Sequence, residues 1–390
     1  MYAKRFCFAI IIIALLFVLI EYNVHSSDKN SIITFKGKTF GGEDYDEGNE
    51  ILQSSDGGYI LLGTTKSFGA GDADMYLVKT DKNGKEKWSK TYGGKDYDEG
   101  NSIIQTSDGG YLILGTTKSF GAGMSDMYLV KTNPLGHLDW EKTYGTKTSE
   151  HGNVVLEATD GGYLIFGSFL IKVDKNGDEL WKKAPEGLSI SEGYSMAPTS
   201  DGGYILIGIK KTNSFSRKQL NLVKIDSEGN KESGWPKTLL MISGDHGSKV
   251  TQISDKGYLL VGGTASLDPG KRNIFFMKTD EKGKKLWTKS IGGGKYDTGN
   301  AIIQLPSGGV ALLGLSQSST SGKADVYLVK TSAVGHVLWE KAYGGSGYDR
   351  GNSIVMTSDG GFALFGSTES SGAGKSDMYF IKTDADGNVK

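Results

Sequence analysis

Apolar and polar residues alternate through NSIIQTS (Asn101–Ser107), the period-two pattern of a strand with one covered face. A Gly pair leads to YLILGTTKS (Tyr111–Ser119), and a Gly-rich loop leads to DMYLVKT (Asp126–Thr132). A short turn then gives HLDWEKTYG (His137–Gly145). Their length, their β-branched and aromatic content and their Gly and Asn/Asp boundaries predict four strands, A to D. No segment after residue 30 shows a helical period. The whole pattern recurs along the chain. Its punctuation is SDGGY at Ser55, Ser107 and Ser200, TDGGY at Thr159, SDKGY at Ser254, PSGGV at Pro306 and SDGGF at Ser358. The spacing is 52 residues, except for 41 before Asp201 and 54 after it.

Seven repeats of four strands predict an all-β fold, a seven-bladed β-propeller of four-stranded antiparallel blades. The chain ends at IKTDADGNVK (Ile381–Lys390), where a last strand D is due. ITFKGKTFGG (Ile33–Gly42) looks like KEKWSKTYGG (Lys85–Gly94), so the N-terminal strand is expected to complete the seventh blade and close the ring. Phe35 would stand there in place of Trp. The pattern YGG…YDxGN…DGGY…DxYLxKTDxxGxxxW resembles the secreted β-propeller repeat proteins of bacteria and archaea. LVKTDKNGKEKW (Leu77–Trp88) is distantly similar to the quinoprotein-type propeller repeat. The resemblance covers roughly residues 31–390. It implies the fold and an exported, surface-associated protein; some members carry glycanase labels.

The N-terminus reads differently. Lys4 and Arg5 precede an apolar run, Phe6 to Ile20, then EYNVHSS. This predicts a signal peptide over residues 1–26, or a signal anchor, and a secreted, cell-surface or periplasmic location. Cys7 is the only cysteine, so the mature chain has no disulfide and no Cys-ligated metal. With 44 basic and 45 acidic residues the net charge is −1, which gives no electrostatic footprint for nucleic acid and no polybasic patch for a membrane. A membrane partner is expected only through an uncleaved anchor, and a monomer is expected.

A residue that recurs in every blade does one structural job seven times; irregular positions are the candidates for function. All six Trp fall on strand D and are expected to pack blade against blade. The DGG and DxxG elements are expected to be tight turns at one end of the ring. The other end carries the longer D–A and B–C loops and is the expected ligand face. Entering strand A there, six of seven blades carry an acid: Asp46, Asp98, Glu150, Asp245, Asp297 and Asp349. These acids either cap their own loops or form a ring of carboxylates at the channel mouth. Such a ring would hold a divalent cation such as calcium, the one cofactor candidate.

The strongest irregularity is the shortened B–C loop of blade three (Gly167–Lys172). A notch there would be rimmed by Glu150, His151, Glu192, Tyr194, Asp245 and His246, with Lys210, Lys211, Arg217 and Lys218 nearby. These ten residues are the expected ligand-binding set. The functional expectation is a non-catalytic binding scaffold with an extracellular protein or glycan as partner. The alternatives are a polysaccharide-binding or glycan-hydrolysing propeller and a quinoprotein-like dehydrogenase. No nucleophile elbow, HExxH or Walker loop occurs.

Overall fold

Strands B and C carry apolar runs, such as Tyr59–Leu62 and Met75–Val78, because neighbouring blades cover both of their faces. In a computed structural model, described over residues 31–34, 37–189, 193–211, 218–242, 246–265 and 272–390, Tyr59–Thr65 and Asp74–Thr80 are buried at every position. Every regular element among these residues is a strand. The first blade is an antiparallel meander of Asp46–Gln53, Tyr59–Thr65, Asp74–Thr80 and Glu86–Tyr92, and the pattern repeats into a seven-bladed β-propeller. The hydrophobic clusters form between blades. One joins Ile60, Leu62 and Leu77 of blade one to Ile103, Tyr111 and Val130 of blade two.

Closure follows the expected rule with one difference. Lys38–Phe40 pairs with Asp377–Thr383 and supplies the fourth strand of blade seven. Ser31–Thr34, expected to lie on the same strand, does not pair with blade seven. It instead pairs in parallel with Val337–Gly344, as a fifth strand on blade six. Gly37 permits the crossing, since a Cβ there would stand 2.0 Å from the Tyr379 ring. Phe35 and the segment expected to be a signal peptide lie outside the described residues.

The tryptophans do pack blade against blade. Trp88 meets Tyr111 of blade two at 6.2 Å between ring centroids and covers Gly136, where a Cβ would stand 2.8 Å from the indole. Gly136 needs its hydrogen side chain twice, for this contact and for a φ of 75°. Trp235 precedes its strand (Lys237–Ile242) rather than lying on it, yet fills the same place over Gly283. The reason is a longer C–D connection in blade four, running from Ile225 to Lys237, at an end expected to hold only short turns.

Gly57 closes the DGG turn at φ 79°, and Asp56 accepts a hydrogen bond from Gly58 N at 3.0 Å. The aspartate has a second task. It pairs with Lys79 of strand C at 2.7 Å, and Lys131–Asp108 and Lys278–Asp255 repeat the pair at 2.8 and 2.6 Å. Blade six has Ser307 at this position, and its Lys330 donates to the Ala385 carbonyl instead. Blade five breaks the turn differently. Lys256 adopts φ 65° where the other blades have Gly, a conformation costing roughly 1–2 kcal/mol for a residue with a side chain.

These lysines hold the aspartates below the ordinary carboxylate range. Asp201 falls to about 2, chiefly through Lys224; Asp108 also falls to about 2, where Lys131 and Thr106 outweigh the opposing effect of burial. A depressed pKa gives stability that is complete above the unfolded value of about 4 and lost as pH falls toward the folded value. Asp108→Asn is therefore expected to flatten the fall in melting temperature between about pH 4 and pH 2. An unchanged slope would contradict the assignment.

Candidate functional site

The innermost strands line the axial channel, and each carries a β-bulge just after its first Gly. In blade one the register slips between Gly48 and Glu50, which leaves Asn49 unpaired in the ladder. Gly48 brings the blades close at the axis: a Cβ there would stand 2.3 Å from the Gly366 carbonyl. The freed asparagines bond across blades. Asn49 Nδ2 donates to Gly100 O at 2.8 Å, Asn101 to Gly152 O at 3.0 Å and Asn153 to Gly193 O at 2.6 Å. Asn300 donates to Gly351 O and Asn352 to Gly48 O, both at 2.8 Å. This belt runs unbroken from blade six through blade one to blade four. Tyr194 and Ser248 interrupt it in blades four and five.

At this level the channel encloses a cavity of about 300 Å³. The position after each Asn is irregular. Glu50 Oε2 accepts from Ile103 N at 2.7 Å, where Ser102 Oγ accepts from Val155 N in the next blade. Glu50 Oε1 also meets Lys249 Nζ at 3.3 Å, an ion pair spanning the channel from blade one to blade five. Arg350 and Tyr194 complete the irregular wall. Most of this site was missed from sequence; the readable signal was the break of xGN into Gly-Tyr at 193–194 and Gly-Ser at 247–248.

Five of the expected ten residues have described side chains: Glu150, His151, Tyr194, Lys210 and Lys211. Glu192, Arg217 and Asp245 lie outside the described residues, as do the side chains of Lys218 and His246. The notch exists: Tyr163–Gly167 and Leu170–Val173 are joined by two residues. Glu150 is 2% exposed and closed off, accepting from Thr146 N at 2.8 Å, Thr146 Oγ1 at 2.7 Å and Thr148 Oγ1 at 2.5 Å. Burial pushes its pKa up, but these bonds outweigh it and leave it lowered. His151 is exposed beside it, while Lys210 and Lys211 are exposed at the end of strand B of blade four. Of the described members of the set, Tyr194 lines the channel cavity.

Four of the other acids of the expected ring behave as loop caps. Asp46 accepts from Gly42 N and Ser67 Oγ, both at 2.7 Å; Asp98 from Gly94 N at 2.7 Å and Ser119 Oγ at 2.6 Å. Asp297 and Asp349 repeat this with Gly293 N and Gly345 N. All four are fully buried. Among the described residues no three His, Cys, Asp or Glu side chains converge as metal ligands.

Each cap instead faces a carboxylate or amide from the preceding blade across a glycine. A Cβ on Gly344 would stand 2.4 Å from both Asp325 Oδ1 and Asp349 Oδ2, and one on Gly41 2.3 Å from Asp377 Oδ1 and 2.5 Å from Asp46 Oδ2. Gly93 separates Asp74 from Asp98, and Gly292 separates Asn273 from Asp297, in the same way. Burial, with the facing acid adding to it, raises the pKa of Asp74, Asp325 and Asp377.

No known protein family's sequence profile matches this chain, and no curated relative matches it. Solved structures share its architecture. YCF48, solved bound to a D1 peptide, is 11% identical over 89% of this chain and 95% of its own, with a TM-score of 0.54. Sqt1 from Chaetomium thermophilum is 13% identical over 91% and 86%, with a TM-score of 0.50. Puromycin hydrolase is 12% identical with a TM-score of 0.55; the match covers 88% of this chain and 53% of the hydrolase. The chain is a β-propeller. At these identities the likeness speaks for the fold.

Gly344→Ala is expected to force a methyl between two buried carboxylates and cost about 1–3 kcal/mol in urea unfolding. Gly294, with nothing within 4 Å of its Cβ position, is the control and should change by less than about 0.5 kcal/mol on the same substitution.

Proposed function

We propose that this chain is an exported, non-catalytic binding propeller that takes a protein or peptide segment at the channel entrance, on the face of the D–A and B–C loops. The observation that carries the reading is the channel cavity itself. There the repeated asparagine belt is broken, and a cross-channel Glu50–Lys249 pair, Tyr194 and Arg350 replace equivalent residues with different chemistry. A repeated residue serves the ring; these four are unique to their blades. Paired charges and an aromatic ring suit a peptide end or a charged side chain entering from the axis. YCF48 gives the precedent of a propeller with a bound peptide.

A second reading has its own observation. Tyr296, Tyr348 and Tyr45, on consecutive blades, are 37%, 42% and 42% exposed, and Tyr97 follows them. A cation lies over each ring: Arg272 at 5.1 Å, Lys323 at 5.2 Å, Lys375 at 5.2 Å and Lys118 at 5.2 Å. Tyr45 and Tyr97 share a cleft of about 270 Å³ with Glu47 and Lys66. Such rings stack on sugar faces, which favours a glycan ligand.

The test is selection of displayed peptides against the mature chain, followed by titration of the best binder. Glu50→Gln, Lys249→Ala and Arg350→Ala are each expected to weaken it at least about tenfold, as loss of a charge-assisted bond does. Undiminished binding in all three removes the channel reading. A glycan array, run with calcium and with chelator, supports the second reading if binding is lost on Tyr45→Ala.

A further inference from the structure

A second cavity lies at the other end of the ring, between blades four and five, with a volume of about 500 Å³. It does not involve the channel and does not depend on the reading above. Two departures from the repeat meet in its walls. One is the long C–D connection of blade four, which brings Glu232, Ser233 and Trp235 to the rim. The other is Lys256, the only non-glycine residue with positive φ among those described. Six blades place Gly at this turn. Blade five keeps a strained lysine there, and its side chain borders the cavity. Gln252 braces the turn, accepting from Ser200 N at 2.6 Å and donating to Lys256 O at 3.2 Å. Backbone strain retained beside a cleft is a mark of a used site.

The charges indicate the ligand. Lys224 is buried and sits between Asp201 and Glu232, one cation shared by two carboxylates, and the whole lining carries four lysines against three acids. Lys237, Lys256 and Lys282 also line the cavity, and none has an ion-pair partner among the described residues. Lys237 only lies over the Trp235 ring, at 5.5 Å. Glu281 is the one remaining acid in the lining. The apolar walls are closed, with Trp235 8% and Tyr258 1% exposed, so an apolar ligand would find little to cover. Ser200 and Ser233 are exposed and offer hydroxyls. The cavity is within the size range of small-molecule sites.

We propose that this cleft binds an acidic carbohydrate of about disaccharide size, its carboxylate met by Lys256 and Lys282 and its hydroxyls by Ser200 and Ser233. Hydroxyl-rich, anionic and poor in apolar surface, such a ligand matches each property of the lining.

Calorimetric titration of the full chain with digalacturonate tests this, with cellobiose and inorganic phosphate as comparators. One digalacturonate is expected to bind per chain. Lys282→Ala should weaken it about tenfold, the loss of one charge-assisted contact. Lys256→Gly should weaken it about tenfold and raise the melting temperature, because glycine relieves the strained turn. A merely structural Lys256 would raise the melting temperature without touching binding, which would overturn the proposal. So would no detectable heat from digalacturonate. Equal binding of cellobiose would overturn the role of charge, and equal binding of phosphate would overturn the sugar class.

Discussion

No blade of this ring can be covered without its neighbours. Strands B and C are apolar on both faces, and each face is closed only when the adjacent blade arrives. The hydrophobic clusters accordingly lie between sheets and not within them. Ring closure is therefore the constraint on which the rest depends. It fixes where tryptophans can stand, why glycine recurs at the axis and why an edge must be borrowed from the other end of the chain. Every interface also has to manage polar groups at its two rims, and this protein does so with opposite electrostatics. At the turn end, aspartates meet lysines and are held ionised. At the loop end, carboxylates from adjacent blades face one another across a glycine.

These two rims respond to pH in opposite senses. The turn aspartates contribute stability above the unfolded carboxylate pKa and lose it as pH falls through their depressed values. Asp74, Asp325 and Asp377 are raised, so their native state retains protons longer. Their favourable contribution is present at low pH and is lost as pH rises through the raised values. Asn273 occupies the same position in blade five. An amide there is the uncharged counterpart of a protonated aspartate, which fits a site where a second full charge is unwelcome.

The fold was largely legible because its information is repeated. Period-two strands, DGG corners and the displaced terminal strand are each written several times. Trp88 and its equivalents could be read as interface residues from recurrence alone. Other features carry no such redundancy. The long connection before Trp235 hides its insertion within an ordinary-looking spacing of repeats. The parallel placement of Ser31–Thr34 has no second copy to compare. The candidate site was less legible for a related reason. Glu150 and His151 are adjacent in sequence, yet one faces inward to its threonines and the other is exposed, in the loop just before the strand Gly152–Glu157 begins. Glu50 and Lys249, far apart in the chain, meet because the innermost strands converge on one axis. Only ring geometry makes that pairing visible.

The clasp that closes the ring is a strand of three residues, Lys38–Phe40 on blade seven, preceded in the chain by Ser31–Thr34, which pairs with blade six. Tension on the N-terminal segment would thus meet two attachments in series on different sheets. The parallel one must shear from blade six before load reaches the antiparallel one in blade seven. The outer attachment acts as strain relief, keeping a pull on the chain's leading end from opening the ring at its shortest strand.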